Sequence, residues 1–170
     1  EYGEEQDGVV DTITVIDSDG IRGDMDLSFL QEEATHVIIG QKAFQNNTDI
    51  TSVLLPDNTI EIRQSAFKQC SLLKKCDIPN GVTVIGAEAF YGVAITSVQI
   101  PSSCVELGDA AYQDSDVQSV VFEEGEQELK LGDDVFRFCR CLSKVVFPER
   151  LTSMGSTVFA YCYALTNICI

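Results

Sequence analysis

The sequence predicts a repeat solenoid: a right-handed coil with short parallel strands on its concave side and single helical turns on its convex side. Three observations carry this. An aromatic residue recurs at Phe44, Phe67, Phe90, Tyr112, Phe136 and Phe159, at intervals of 23, 23, 22, 24 and 23 residues. Several aliphatic columns move with the same period. A Pro or a Gly marks fixed places in most units. A single period shared by independent columns is the mark of stacked supersecondary units.

The strand comes first in the argument because it sets the stacking direction. Five or six residues after each aromatic stands an aliphatic residue: Ile50, Leu73, Ile95, Val117, Leu142 and Leu165. A short alternating run follows, whose inward pairs read Val53/Leu55, Cys76/Ile78, Val98/Ile100, Val120/Phe122, Val145/Phe147 and Ile168/Ile170. Alternation marks a strand with one buried face. So short a strand is stable only when it pairs with its neighbours. Pro56, Pro79, Pro101 and Pro148 end the runs because Pro has no N–H to give a ladder. A second aliphatic column, Ile62, Ile85, Leu107, Leu131 and Met154, stands next to Gly86, Gly108, Gly132 and Gly155, with Arg63 breaking the Gly column. The Gly residues are expected to allow tight turns. The Gly-x-x-Ala-Phe segment is expected to form one helical turn, its aromatic plugging the core.

Unit lengths vary. The units starting at Phe90 and Tyr112 lose one residue before the strand, and the acidic stretch Glu123–Glu128 adds two. An insertion of that kind is expected to bulge from one edge. The strand-like run Val82–Ile85 leaves room for a second strand per coil, as in a parallel β-helix.

Ile85-Gly86-Ala87-Glu88-Ala89-Phe90, Ser65-Ala66-Phe67-Lys68-Gln69-Cys70-Ser71-Leu72-Leu73 and Phe159-Ala160-Tyr161-Cys162-Tyr163-Ala164-Leu165-Thr166-Asn167-Ile168-Cys169-Ile170 resemble the BspA-like leucine-rich repeats, also called the Treponema pallidum type. The resemblance covers residues 37–170, about six repeats, and implies a leucine-rich-repeat solenoid of the α/β horseshoe kind. Members of that family are often bacterial or protist surface proteins, some of them adhesins for host matrix proteins. The resemblance therefore implies a protein-binding role in adhesion or recognition, and a cell-surface or secreted location. No catalytic residue accompanies the motif. Tyr112 in place of Phe, with Val135 and Val158 in place of the small Ala, departs from the pattern and predicts a looser unit around Tyr112.

Ahead of the repeats, residues 1–8 read as an acidic tail and residues 9–36 as an N-terminal cap for the first coil. Thr12–Ile16 reads as a strand, Asp17–Gly20 as a turn, and Asp26 as the cap of a short helix. The acids Asp17, Asp19, Asp24 and Asp26 lack the spacing of a calcium loop and read as a polar turn. The solenoid stops at Ile170, inside a strand, so a longer array is expected.

The net charge is −16, and residues 1–35 hold eleven acids against one base, Arg22. Such a field disfavours a phosphate backbone, so no nucleic-acid partner is expected. No apolar run is long enough for a transmembrane helix. Catalysis is not expected either. The single His, His36, is isolated, the Gly residues serve turns rather than a phosphate cradle, and no cofactor is implied.

Of the seven Cys, Cys70, Cys139 and Cys162 share one column with Asn47, predicted to face inward at a bend and satisfy backbone groups. Cys76 and Cys104 are expected in the core, Cys141 in a loop and Cys169 facing solvent. Cys139-x-Cys141 is not a zinc spacing, so no metal is expected. Free thiols lean towards a reducing compartment, and with no visible signal peptide they keep a cytoplasmic scaffold or complex subunit as the alternative.

Function is expected on the concave face. Its outward positions include Leu54, Lys75, Asp77, Gln99, Val121, Lys144, Val146 and Cys169, a mixed polar line with apolar spots. A protein ligand is expected there, and the repeat ends offer a second place for contacts.

Overall fold

The computed structural model describes residues 5–6, 9–16 and 20–169. The described chain opens with a hairpin, β1 (Glu5–Gln6) and β2 (Val9–Val15), paired antiparallel. Then follow β3 (Gly23–Asp26), a 3-10 turn (Ser28–Glu32), β4 (Ala34–Ile39), β5 (Ile50–Leu54), β6 (Thr59–Ile62), β7 (Lys75–Cys76) and β8 (Val84–Ile85). The later coils add β9 (Ser97–Ile100), β10 (Glu106–Leu107), β11 (Ser119–Phe122), β12 (Leu129–Leu131), β13 (Lys144–Val146), β14 (Leu151–Met154) and β15 (Asn167–Cys169). All pairings from β2 onward are parallel between coils, as the solenoid reading requires.

Each coil supplies two strands. The first sheet runs β1-β2-β4-β6-β8-β10-β12-β14, so the Val82–Ile85 run does carry a second strand. The predicted functional strands form the opposite wall, split into β3-β5-β7 and β9-β11-β13-β15. The inward residues of both walls meet one central column of rings. Phe44, Phe67, Phe90, Tyr112, Phe136 and Phe159 stack with centroids 4.9, 5.2, 5.0, 5.6 and 5.7 Å apart. Such offset pairs add attraction to the area the rings bury.

The expected helical turns are absent. Among the described residues the only helical element is the 3-10 turn at Ser28–Glu32. The Gly-x-x-Ala-Phe segments are instead chains of tight turns with left-handed residues in two columns. One column holds Lys42, Ser65, Glu88, Ala110, Asp134 and Thr157; the other holds Asn46, Gln69, Gly92, Asp114, Phe138 and Tyr161. A non-Gly residue in this region costs on the order of 1 kcal/mol. The reason it persists is hydrogen bonding. Lys42, Phe44 and Asn46 donate to the next coil at Gln64 O, Ala66 O and Lys68 O, at 2.7–3.0 Å. Ala43, Gln45 and Asn47 donate within their own coil, at 3.0–3.3 Å. A right-handed helix would satisfy the segment internally and forfeit this third ladder.

The Gly column has a different reason from the one expected. Gly86, Gly108, Gly132 and Gly155 are not left-handed. A Cβ on Gly108 would stand 2.5 Å from the backbone N of Ala87 in the preceding coil, and one on Gly86 2.6 Å from Gln64 N. Close stacking of backbones, not turn geometry, excludes a side chain there.

The N-terminal segment is itself a coil. Val15 pairs with Ile39 in the first wall and Met25 with Val53 in the second. Asp26 ends a strand rather than capping a helix; its Oδ1 accepts the Ser28 N–H at 2.8 Å. Asp24 Oδ1 accepts the hydroxyls of Thr51 and Ser52 at 2.8 and 2.7 Å, which holds its carboxyl below the usual range. The expected turn at Asp17–Asp19 and most of the acidic tail lie outside the described residues.

At the far end, Ile168 occupies an inward column in register with Val145 yet is 55% exposed, because no described coil stacks on it.

Candidate functional site

The second wall positions the predicted site residues in two groups. Gln99, Val121, Val146 and Cys169 stand in one row, in register across β9, β11, β13 and β15. Val121 is 38% exposed, Val146 half-buried and Cys169 exposed. Lys144 is exposed one residue ahead of Val145, beside Ser119. Leu54, Lys75 and Asp77 belong to the other group. Leu54 is exposed next to Asp26, and Lys75 Nζ lies 3.6 Å from Asp77 Oδ2, both side chains largely in solvent.

The single outward line expected on the concave face is therefore split in two. The wall is interrupted between β7 and β9, and no strand bonds join them. The break falls where the connection from the aromatic shortens, from six residues (Phe67 to Leu73) to five (Phe90 to Ile95). A shorter arm holds β9 back from its neighbour. Where the arm lengthens again, between β11 and β13, slack lets the strands pair.

The break opens a cleft of about 200 Å³. Asp77, Asn80, Ser97, Gln99 and Glu123 line it, and Tyr112 reaches it from the core. Gln99 Nε2 donates to Glu123 Oε1, and Ser102 N–H donates to Glu123 Oε2 at 3.0 Å, so this carboxylate is held in place. The Tyr112 ring is sandwiched between Phe90 and Phe136 and the residue is 1% exposed. Its hydroxyl has no hydrogen-bond partner among the described residues, and burial pushes its ionisation well above the ordinary range. Sequence reasoning missed Asn80, Ser97 and Glu123; the signal available for the cleft was the single Tyr in a Phe column.

The acidic insertion is also not a free bulge. Arg150, 8% exposed, donates from Nε to Glu123 O (2.9 Å), from Nη1 to Cys104 O (2.5 Å) and Gln127 O (3.4 Å), and from Nη2 to Pro101 O (3.0 Å). One guanidinium thus ties three coils together. This residue gave no signal in the sequence.

A profile of the BspA type leucine rich repeat region matches residues 37–166 in six copies. The chain belongs to the BspA-type leucine-rich repeat family. No curated protein sequence matches it. Among solved structures, it is similar to a leucine-rich repeat protein of Bacteroides ovatus, with a TM-score of 0.68 and 20% identity over 100% of the chain. It spans about half (51%) of that protein's length. It is also similar to the leucine-rich repeat protein of Treponema pallidum, with a TM-score of 0.66 and 25% identity, covering 98% of the chain and 87% of the other.

The Asn/Cys column of this BspA-type array works as the sequence suggested. Cys70, Cys139 and Cys162 donate from Sγ to Phe44 O, Tyr112 O and Phe136 O at 3.0, 3.1 and 3.1 Å. Ser115 and Asn47 do the same to Phe90 O (2.9 Å) and Ile21 O (3.1 Å). All seven Cys are free. Burial pushes the thiols up from 9.0, to about 12 for Cys70 and Cys139 and about 11 for Cys104 and Cys162, with Cys76 raised further. The neutral thiol is the form the folded state keeps. Its stabilising effect is whole below pH 9 and is lost as pH rises from there towards 12. Two results are expected. The thermal midpoint falls progressively above pH 9. A disulfide reagent at pH 8 labels the exposed Cys141 and Cys169 fast, and all seven only after unfolding without reductant. Rapid labelling of Cys70 or Cys139 in the native protein would contradict their burial.

Proposed function

We propose that this chain is a non-catalytic protein-binding module whose ligand lies across the outward row of β9, β11, β13 and β15, the face expected to be concave. The observation that carries it is the register. Val121, Val146 and Cys169 come from three successive coils and stand side by side on one rigid wall. Adjacent apolar side chains form a patch, whereas scattered ones do not. Lys144 and Gln99 supply a polar rim. The BspA-type repeat supports recognition as the role, and on that likeness the protein acts at a cell surface or after secretion.

The experiment compares wild type with Val146→Asp. Both are immobilised and exposed to native extract and to a panel of soluble matrix proteins. The captured ligand is then titrated against each. The wild type is expected to bind at least about tenfold tighter, because an aspartate must be desolvated at the centre of the patch. The thermal midpoint is expected to stay the same, since Val146 is only half-buried. Equal affinities at equal stability would remove this face from consideration.

A second reading rests on one observation, the seven free thiols. They favour a reducing compartment, where the same wall serves as a docking surface in an intracellular assembly.

A further inference from the structure

We infer that the cleft between β7 and β9 is a socket for a single basic side chain, the ammonium of a lysine or the guanidinium of an arginine presented by a protein partner. This rests on the protein-binding reading above and gives that partner a chemistry.

The shape of the opening selects the occupant. The coils stay in contact elsewhere: Phe67 and Phe90 stack at 5.2 Å, and β6, β8 and β10 pair without interruption. The coils are thus parted along one wall only. A whole strand inserted between β7 and β9 would need about twice the normal strand spacing of ~4.8 Å, which coils joined at the rings and at the first wall cannot give. A side chain entering end-on does not need it. The volume, about 200 Å³, is several times what one water occupies.

The lining selects the charge. Asp77 and Glu123 bring carboxylates, Asn80, Ser97 and Gln99 bring further oxygens, and the base beside them, Lys75, lies 3.6 Å from Asp77 on the solvent side and does not line the cleft. β7 and β9 pair only with β5 and β11, which leaves carbonyls and N–H groups of their facing edges without a ladder partner. At the floor is the independent observation. Tyr112 is 1% exposed, its hydroxyl has no hydrogen bond to the described residues, and it meets the cleft. The other five units place Phe in this column and need no such atom. The hydroxyl opens onto the cleft rather than onto a protein partner, and its oxygen can accept from a cation. The chain's net charge of −16 draws a basic partner towards it.

The test uses Nα-acetyl-lysine methylamide, its neutral Nε-acetylated form, and N-acetylglucosamine, titrated into the whole chain labelled with 15N. The lysine probe is expected to shift the amides of Ser97 and Gln99 saturably, and the neutral form and the sugar are not. Tyr112→Phe is expected to weaken the probe about tenfold, the effect of losing one hydrogen bond to a charged group. It restores the residue of the other units, so the fold is preserved and the thermal midpoint is unchanged. Asp77→Asn with Glu123→Gln is expected to abolish the shifts. Three outcomes overturn the inference: no saturable shift, equal shifts from the neutral probe or the sugar, or undiminished binding to Tyr112→Phe. The last would assign the hydroxyl to water alone. A captured partner lost on Val146→Asp but not displaced by the lysine probe would leave the binding face standing and remove the socket.

Discussion

Replacing Phe90 with alanine is expected to lower the unfolding free energy by about 3–5 kcal/mol. The ring is fully buried, stacked on Phe67 at 5.2 Å and on Tyr112 at 5.0 Å. Removing it deletes transfer energy and both stacking contacts, and the cavity left behind cannot collapse. The two flanking rings are held by the first-wall strands and by the turn-segment ladder, so neither can move in. Urea denaturation checks the magnitude. Phe90→Leu refills most of the space and is expected to lose much less. A loss below ~1 kcal/mol for the alanine variant would mean that the ring column fills space without organising it. Because the ladders join each coil only to its neighbours, the damage is also expected to split the transition, with coils on either side of position 90 melting apart.

Arg150→Ala is expected to cost about 3 kcal/mol or more. The guanidinium is almost wholly buried, and its partners are four carbonyls rather than a carboxylate. Truncation leaves the carbonyl of Cys104 unsatisfied in a dry interior and the carbonyl of Pro101 with the Cys104 N–H alone. The local consequence is sharper than the global one. Glu123 and Gln127 lose the donors that fix the insertion, so amide exchange at Leu129 and Lys130 is expected to quicken before the rest of the array responds. Arg150→Lys is not expected to rescue. An ammonium is a point donor and cannot span carbonyls on separate coils. Rescue by lysine would reduce the role of Arg150 to charge alone.

The repeat was legible because its columns are apolar and periodic. Val53, Val98, Val120 and Val145 could be placed inward from alternation, and the structure buries all four. Cys70, Cys139 and Cys162 were placed by alignment with Asn47, and their thiols do bond the preceding coil. The left-handed columns were invisible because Lys42, Ser65, Glu88 and Tyr161 share no chemistry; a ladder between backbones imposes their shape. Arg150 escaped notice because a lone base after Pro148 looks solvated, and its partners are 23 to 49 residues away. The cleft was half legible. The five-residue arm after Phe90 and the phenol at Tyr112 were both on view, but only pairing of the strands reveals that they coincide at a break in one wall.

The alternating donors of the turn segments also determine how the array bears force. Three ladders link most pairs of neighbouring coils, two link the pair split between β7 and β9, and their bonds lie roughly along the stacking direction. Tension on the two ends loads the bonds between one pair of coils at a time, as in a zipper, rather than shearing many at once. Each coil that peels away releases roughly 80 Å of extended chain, at ~3.3–3.6 Å per residue. Such an array resists weakly, yields stepwise, and keeps the unpeeled coils folded. A solenoid built this way lengthens under pull while the strand walls further along stay intact.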